Sequence, residues 1–357
     1  MKKTFLIYAY FSFIIAGFSQ TERPQEPKPP FDYIVEDVVF ENKTDSVKLA
    51  GTLTIPKNAK DFPTVILISG SGPQNRNSEI LGHKPFLVMA DYLTKNGIAV
   101  MRVDDRGTAE SEGDYNQTGL QGFVRDTESA LVYLKTRNDI NTSKIGLLGH
   151  SLGGVIAPIV ASESNDVAFI IMLAGPGIRG DKLMLLQKAM VERQMGIPET
   201  AIDTGQKNIG GAYEIILDST TQNDSLTPKL ITYFKTAFGG MLPENQVNAL
   251  SSQLTFPWLV DFIRFDPSIS LSKTSCPVLA LNGSNDLQVP AAKNLKAIDS
   301  ILKANGNKNV TTRNLEGLNH LFQESETGMP QEYALIDQTF STLVLELMAE
   351  WIKNNTL

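Results

Sequence analysis

The sequence predicts an α/β fold, with a mainly parallel sheet flanked by helices, an N-terminal β-hairpin and an inserted helical cap. Short, mostly apolar runs recur along the chain, as expected of strands that are buried on both faces of a sheet. Segments with helical periodicity fill several gaps between these runs, and this alternation is typical of parallel sheets wrapped by helices. The predicted parallel strands are residues 63–69, 97–104, 144–149, 167–174, 277–283 and 310–315.

Residues 1–19 have the features of a secretory signal peptide. A positively charged start precedes an apolar run that is too short for a comfortable membrane span, and small residues fit cleavage after Ser19. We therefore expect an exported protein, periplasmic or secreted, without stable membrane insertion after cleavage. An uncleaved anchor or a buried N-terminal helix is the alternative. Residues 20–30 are proline-rich and polar, which favours an extended leader over a packed element.

The predicted core comprises residues 31–176 and 270–357. It begins with two alternating runs, residues 33–40 and 47–55, whose polar connection is typical of an antiparallel hairpin. Reactive groups gather at the carboxyl ends of the strands in sheets of this kind. The helices predicted for the core are residues 83–95, 122–137, 155–162, 291–305 and 338–354.

Residues 177–269 interrupt the alternation of strands and helices. Helical patches punctuated by prolines carry many methionines and aromatic residues there. We interpret this interval as a helical cap that lies over the carboxyl ends of the strands and supplies the walls of a pocket. Because aromatic residues and methionines in helices usually pack among themselves, the sequence does not identify which of them face a ligand.

The composition argues against several classes of function. The 357 residues carry a formal net charge of −7, and loss of the signal peptide would remove two lysines and no acid. Nucleic-acid binding rests on clustered Lys and Arg, so no nucleic-acid partner is expected. Cys276 is the only cysteine, which excludes an internal disulfide and a cysteine-based metal site. Neither a metal nor another cofactor is expected, and the oligomeric state is left open.

Ser151 is the candidate nucleophile, within a G-x-S-x-G pattern between a predicted strand and a predicted helix. A serine hydroxyl is a poor nucleophile until a base takes its proton, so it must stand where an imidazole can reach it. A sharp strand-to-helix turn provides that position, and Gly149 and Gly153 are where a Cβ would clash in such a turn. A glycine-rich turn with an incidental serine is the alternative.

His320 is the predicted base. It follows the last core strand and precedes the final helix, which returns it to the carboxyl edge of the sheet. His150 adjoins the nucleophile, but its side chain leaves the turn in a different direction, so we expect it to be packed or at the pocket edge. His83 lies well before Ser151, at the start of a predicted helix.

Asp286 is the predicted acid that holds the tautomer of the base and stabilises its imidazolium form. It is the only carboxylate in the loop of residues 284–290, and the preceding core strand ends without an acid. An exposed or helix-capping aspartate is the competing interpretation. The resulting order Ser151, Asp286, His320 matches one hydrolase architecture and neither of the two common protease orders.

With these residues, the sequence resembles the α/β-hydrolase fold family, and within it the exported bacterial esterases and serine-aminopeptidase-like hydrolases that carry a helical cap. The resemblance covers residue 48 to the C-terminus. Ala109 stands where the family usually has glycine, and we assign Asp105 and Arg106 to structure, holding the neighbouring loop by ion pairing. Further matching stretches are the oxyanion-loop segment at residues 66–76, the following helix start at residues 82–86 and the D-x-R-G-x-G-x-S turn at residues 104–111.

The attacked carbonyl becomes an oxyanion, so hydrogen-bond donors must already point at it. The predicted donors are the backbone N–H of Leu152, which follows the nucleophile, and that of Ser71, in the loop after a core strand. Gly70 and Gly72 let that loop approach closely. A plain glycine turn is the alternative.

These residues predict a serine hydrolase that cleaves carboxylic esters through an acyl-enzyme. An aminopeptidase or other peptidase with the same triad and a short peptide substrate is the alternative, and a non-catalytic binding protein on this fold is less favoured because all triad positions are filled. An apolar cap favours small-molecule esters with short or medium acyl chains, whereas a substrate ammonium requires carboxylates aimed into the pocket. Among the acids that the cap contains are Glu192, Glu199, Glu214, Asp218, Glu244, Asp261 and Asp266.

Overall fold

The computed structural model describes residues 23–57, 60–219 and 225–356. The strands are β1 (Tyr33–Asn42), β2 (Val47–Pro56), β3 (Thr64–Ile68), β4 (Ala99–Val103), β5 (Ile145–His150), β6 (Phe169–Leu173), β7 (Val278–Gly283) and β8 (Val310–Leu315). The helices are α1 (Pro85–Lys95), α2 (Leu120–Lys135), α3 (Gly153–Glu163), α4 (Gly180–Gln194), α5 (Glu199–Asp218), α6 (Leu226–Ala237), α7 (Glu244–Leu254), α8 (Pro257–Arg264), α9 (Ser268–Leu271), α10 (Ala291–Ala304) and α11 (Thr342–Thr356).

The strands form an eight-stranded sheet in the order β1-β2-β4-β3-β5-β6-β7-β8. β1 and β2 make the predicted hairpin, with Asn42 opposite Val47 beside its turn. β2 is also antiparallel to β4, and all other neighbouring strands are parallel. The predicted fold class, a mainly parallel sheet flanked by helices with an N-terminal hairpin, is confirmed. Because parallel strands share one direction, their carboxyl ends meet at a single edge.

The central strands are buried along their whole length, as their apolar sequences predict. All residues of β3, β6 and β7 are buried, whereas Arg313 and Asn314 of the edge strand β8 are exposed. α3 is buried from Gly153 to Ala161. Fully burying a Val, Leu or Ile side chain contributes about 1.5–3 kcal/mol, so this packed sheet is a rigid base for the loops at its carboxyl edge.

Between β6 and β7 the described residues form α4 to α9 and no strand, as predicted for residues 177–269. α8 contacts the core directly. Asp261 Oδ2 accepts a hydrogen bond from the Leu120 N–H at the start of α2, 2.9 Å away. The rings of Trp258 in α8 and Tyr115 in the core are 6.3 Å apart. The limits of the cap remain a prediction.

The predicted signal peptide, residues 1–19, lies outside the described residues. Among the residues that are described, no helix is both long and apolar enough to cross a membrane.

The described part of the leader packs against the C-terminal third of the chain. Arg23 is 7% exposed. It donates hydrogen bonds to the carbonyl oxygens of Leu81, Ala334 and Ile336 at 3.2, 2.8 and 3.0 Å. Gln25 bonds the backbone of the same C-terminal segment. The expectation of an unpacked leader is therefore wrong here, because two polar side chains pair with backbone groups of an irregular segment.

Replacing Arg23 by alanine should lower the free energy of unfolding by about 2–3 kcal/mol, because hydrogen bonds to a charged group contribute roughly 1.5–3 kcal/mol. Urea denaturation of the wild type and the variant measures this change. The exposed Lys43 in the hairpin turn is the control, and Lys43→Ala should stay within about 0.5 kcal/mol of the wild type. Equal stability of all three proteins would contradict the prediction.

Candidate active site

Ser151 lies in the turn between β5 and α3, with a backbone φ of 54° in the left-handed region. Its N–H donates to the Leu173 carbonyl of β6 at 2.9 Å. A Cβ at Gly149 would lie 2.0 Å from the Gly153 carbonyl oxygen, and one at Gly153 would lie 2.3 Å from the Ile68 carbonyl oxygen. Both positions therefore require glycine, and they allow the tight strand-to-helix turn that presents the serine.

The loop after β3, residues 69–74, passes close to this turn and is called the β3 loop below. A Cβ built on Gly70 would lie 3.4 Å from Ser151 Cβ. The next residue is Ser71, and Leu152 directly follows the serine. Across the described residues, neither the Ser71 N–H nor the Leu152 N–H donates to another protein group. Within the described residues these two N–H groups thus have no competing protein acceptor, and their role as oxyanion donors stays a prediction.

Asp286 and His320 form a direct hydrogen bond, with His320 Nδ1 and Asp286 Oδ2 2.8 Å apart. The other carboxylate oxygen, Oδ1, accepts from the N–H groups of Gln288 and Val289, both at 2.8 Å. The side chains of Asp286 and His320 are 0% and 5% exposed. The carboxylate is therefore fixed by backbone donors, and it orients the imidazole so that Nε2 is the nitrogen left for a proton from the nucleophile.

His150 connects the serine turn to His320. The two rings have their centroids 4.8 Å apart, and His150 Nε2 lies 2.9 Å from the His320 carbonyl oxygen. Because a carbonyl can only accept, His150 carries its proton on Nε2. Desolvation lowers the pKa of His150 to about 3, with a contribution from His320 and with the hydrogen bond acting against it. His150 is thus a neutral donor that supports the His320 backbone, a role that the sequence did not indicate.

The Ser151 hydroxyl forms no hydrogen bond with His320 within the described part of the chain. Contacts of this kind are often long in unliganded enzymes and tighten when a substrate binds. The structure therefore brings Asp286 and His320 into direct contact and connects them to Ser151 through His150.

His83 is fully buried and lies outside this arrangement. Its Nε2 is 2.8 Å from the Tyr333 carbonyl oxygen and its Nδ1 is 2.9 Å from Thr339 Oγ1. Desolvation lowers its pKa. His83 therefore joins the start of α1 to the segment that follows His320, which is a structural role.

Asp105 and Arg106 are both structural, but the predicted ion pairing of the loop is wrong for Asp105. Arg106 pairs with Asp45 and Asp126 at 2.7 and 2.6 Å. Asp105 instead accepts hydrogen bonds from the β3 loop. Desolvation raises the pKa of Asp105 to about 7, although these hydrogen bonds act against the shift. The partners of the Arg106 guanidinium, Asp45 and Asp126, lie in the β-hairpin and on a helix. Because neither belongs to the local motif, the sequence did not reveal them.

The turn at residues 104–111 has two further features. Ala109 has a φ of 48°, a conformation that favours glycine, which is the residue that the resemblance leads one to expect there. Asp104, 1% exposed, pairs with Arg76 at 2.6 Å. The sequence did not identify this ion pair, although Arg76 lies in the segment that resembles an oxyanion loop.

A serine turn at the carboxyl edge of a helix-flanked, mainly parallel sheet is the arrangement of the α/β-hydrolases, and the protein has this fold. A family model described as "Serine aminopeptidase, S33" matches residues 85–326, more than half of the chain. The chain belongs to this family. The resemblance found in the sequence, to a class of hydrolytic enzymes, is confirmed.

Two relatives are similar to the chain in sequence. Esterase EstD of Thermotoga maritima is 34% identical over 181 residues, which are 48% of this chain and 42% of EstD, so the match spans less than half of that relative. An uncharacterized 31.7 kDa Escherichia coli protein from the traX-finO intergenic region is 22% identical over 316 residues, covering 86% of this chain and 96% of that protein.

The solved structure of the Pyrococcus furiosus esterase Pf2001 is also similar, with a TM-score of 0.56 at 16% identity. The match covers 96% of this chain and 100% of that one. At this identity the likeness shows the fold alone.

Replacing His150 by phenylalanine should lower kcat about 10-fold or more, because the His320 carbonyl loses its donor and the imidazole loses its position; misplaced catalytic groups cost up to roughly 100-fold. His150→Gln keeps an N–H donor and should retain more activity. Since desolvation lowers the His150 pKa to about 3, the ring is neutral near neutral pH, and its replacement should not change how kcat depends on pH in that range. A changed pH dependence of kcat in His150→Gln would contradict this role.

Proposed function

We propose that the protein is a serine hydrolase that cleaves small-molecule carboxylic esters through an acyl-enzyme. Ser151 is the nucleophile, His320 the general base and Asp286 the carboxylate that orients the base. The observation that carries this proposal is the buried 2.8 Å contact between Asp286 and His320, which His150 holds beside the serine turn. A buried carboxylate–histidine pair next to a strained serine is the combination that activates a hydroxyl.

The reaction follows from these positions. His320 Nε2 takes the proton of the Ser151 hydroxyl as its oxygen attacks the ester carbonyl, and Asp286 stabilises the resulting imidazolium. The carbonyl oxygen becomes an anion that accepts hydrogen bonds from the Ser71 and Leu152 N–H groups. His320 then protonates the departing alcohol, leaving an acyl-enzyme. Water, activated by the same histidine, releases the acid and restores Ser151.

The cap acids favour an ester over an amine-bearing peptide. A substrate ammonium needs an inward carboxylate that is not already neutralised. Glu192, Glu199 and Glu244 pair with Lys188, Arg193 and Lys235. The other described acids of residues 177–269 are engaged or exposed: Asp181 pairs with Arg179 and Lys182, Asp261 caps α2, Asp266 bonds Ser268, and Asp203, Glu214 and Asp218 are exposed.

One cap carboxylate keeps an aminopeptidase activity as an alternative, because Glu192 Oε2 is buried without a hydrogen-bond partner. Its other oxygen contacts the Lys188 ammonium, whose positive charge opposes a second cation nearby. The relative EstD is named as an esterase, which supports an ester substrate, whereas the family description names aminopeptidases.

Replacement of the triad residues tests the proposed mechanism. Ser151→Ala should remain folded and lose kcat by something on the order of a millionfold, as when a triad serine is removed. Asp286→Asn should lose about four orders of magnitude, because the amide favours the wrong histidine tautomer. Fluorophosphonate labelling with peptide mapping identifies the nucleophile, and modification of a different serine would reject this assignment.

A panel of substrates tests the preference for esters. The kcat/KM values for p-nitrophenyl acetate, butyrate and octanoate should exceed those for alanyl, prolyl and leucyl p-nitroanilides. An ester has the better leaving group, and most cap carboxylates are neutralised or exposed. If any anilide exceeds every ester, the protein is an aminopeptidase, and Glu192→Gln becomes the informative variant.

A further inference from the structure

The β3 loop carries a proposed oxyanion donor, yet it has no regular secondary structure to orient its N–H groups. Gly72 in this loop has a φ of 92°, which a residue with a Cβ rarely adopts. An oxyanion hole works because its donors already point at the developing charge and need no reorganisation. Something outside the loop must therefore fix its backbone.

Tyr115 fixes the middle of the loop. The Gly72 N–H donates to Tyr115 Oη at 2.8 Å. This N–H belongs to the peptide group that directly follows Ser71, so the bond restricts rotation on one side of Ser71. Tyr115 is 4% exposed, and its ring stacks on Phe123 with centroids 4.6 Å apart and lies against Trp258 of α8. The acceptor is therefore held from two helices.

Asp105 fixes both ends of the same loop. Its Oδ1 accepts from Ser69 Oγ at 2.6 Å, and its Oδ2 accepts from the Gln74 N–H at 2.9 Å. The Asp105 N–H also donates to the Gln74 carbonyl oxygen at 3.0 Å. One residue thus joins the first and last residues of the loop, while Gly70 between them packs against Ser151.

We propose that Tyr115 and Asp105 are positioning residues that hold the β3 loop so that the Ser71 N–H meets the oxyanion. This inference rests on the proposed function. Neither side chain contacts the reacting atoms; both act through the backbone on either side of Ser71. The bonds consume the N–H groups of Gly72 and Gln74, whereas the Ser71 N–H has no protein acceptor among the described residues.

Tyr115→Phe removes the acceptor and keeps the ring. We expect kcat for p-nitrophenyl butyrate to fall roughly 10- to 100-fold with little change in KM, which is less than the roughly 100- to 1,000-fold loss when an oxyanion donor is removed outright, because here the donor stays but is held less firmly. Ser151 Oγ attacks the carbonyl carbon of an alkyl trifluoromethyl ketone, His320 takes the serine proton, and the ketone oxygen becomes the anion of a hemiketal. Affinity for this ketone should fall by the same factor. Affinity for the corresponding alcohol, which forms no oxyanion, should not change.

Tyr133→Phe is the matched control. Tyr133 lies on α2, stacks on Phe40 and accepts from Arg137, away from the β3 loop. Removing its hydroxyl should change neither kcat nor the affinity for the trifluoromethyl ketone. A fall in kcat of the same size in both variants would overturn the proposal, as would a change confined to KM in Tyr115→Phe.

A second pair of variants tests Asp105. Asp105→Asn can still accept from the Gln74 N–H while donating to Ser69 Oγ, so it should retain most of the ketone affinity. Asp105→Leu removes both contacts and should weaken the binding of the ketone at least 10-fold. Thermal unfolding identifies folded protein. If Asp105→Leu does not fold, an impaired Tyr115→Phe beside an Asp105→Asn variant with wild-type values still supports the proposal that these two residues position the β3 loop. Equal values for Tyr115→Phe and the wild type overturn it.

Measurements on the wild type distinguish a failure of the positioning role from a failure of the proposed function. If it hydrolyses the esters and fluorophosphonate labels Ser151, but Tyr115→Phe matches it in every measurement, only the positioning role is wrong. If the folded wild type hydrolyses no ester and Ser151 is not labelled, the proposed function fails and the positioning role fails with it.

Discussion

The turn around Ser151 depends on a steric constraint: three nearby positions have no room for a side chain. A Cβ at Gly154 would lie 2.7 Å from the Gly175 Cα, in addition to the closer contacts at Gly149 and Gly153. The ends of β3 and β6 therefore pack directly on the start of α3. This close approach gives Ser151 its left-handed backbone and brings the β3 loop and the loop after β6 to the same point, so the site is built from main-chain packing before any functional side chain is added.

The protein uses its three histidines differently, two of them beside this turn and one outside it. His320 faces a carboxylate, His150 donates to a carbonyl, and His83 joins two segments of the scaffold. In the described part of the chain, only the first is hydrogen-bonded to a carboxylate. Desolvation lowers the pKa of both others, which keeps them neutral where they are packed. The residue type alone does not distinguish these roles, but the atom that each ring nitrogen meets does.

Local sequence was sufficient for the strands, the helices and the serine turn, because periodicity and the steric need for glycine act over a few residues. Asp286 and His320 could be selected because chain order and a parallel sheet place their loops at one edge. The partners of Arg106, Arg23 and His150 could not be predicted, since each bond joins segments that are far apart in the chain. The same reason explains why Tyr115, which has no motif of its own, was not singled out as a partner of the β3 loop.

The packing of Arg23 has a consequence for how the chain reaches its folded state. Arg23 and its partner Ile336 are separated by 313 positions, close to the longest separation that this chain allows. Contacts between distant residues are slow to form, because the entropy of closing a long loop must be lost before the contact stabilises the structure. A chain made from its N-terminus offers Arg23 the Leu81 carbonyl early, but the carbonyls of Ala334 and Ile336 only after the segment that follows His320 exists. The packing of the leader is therefore completed late, although the leader is synthesised early.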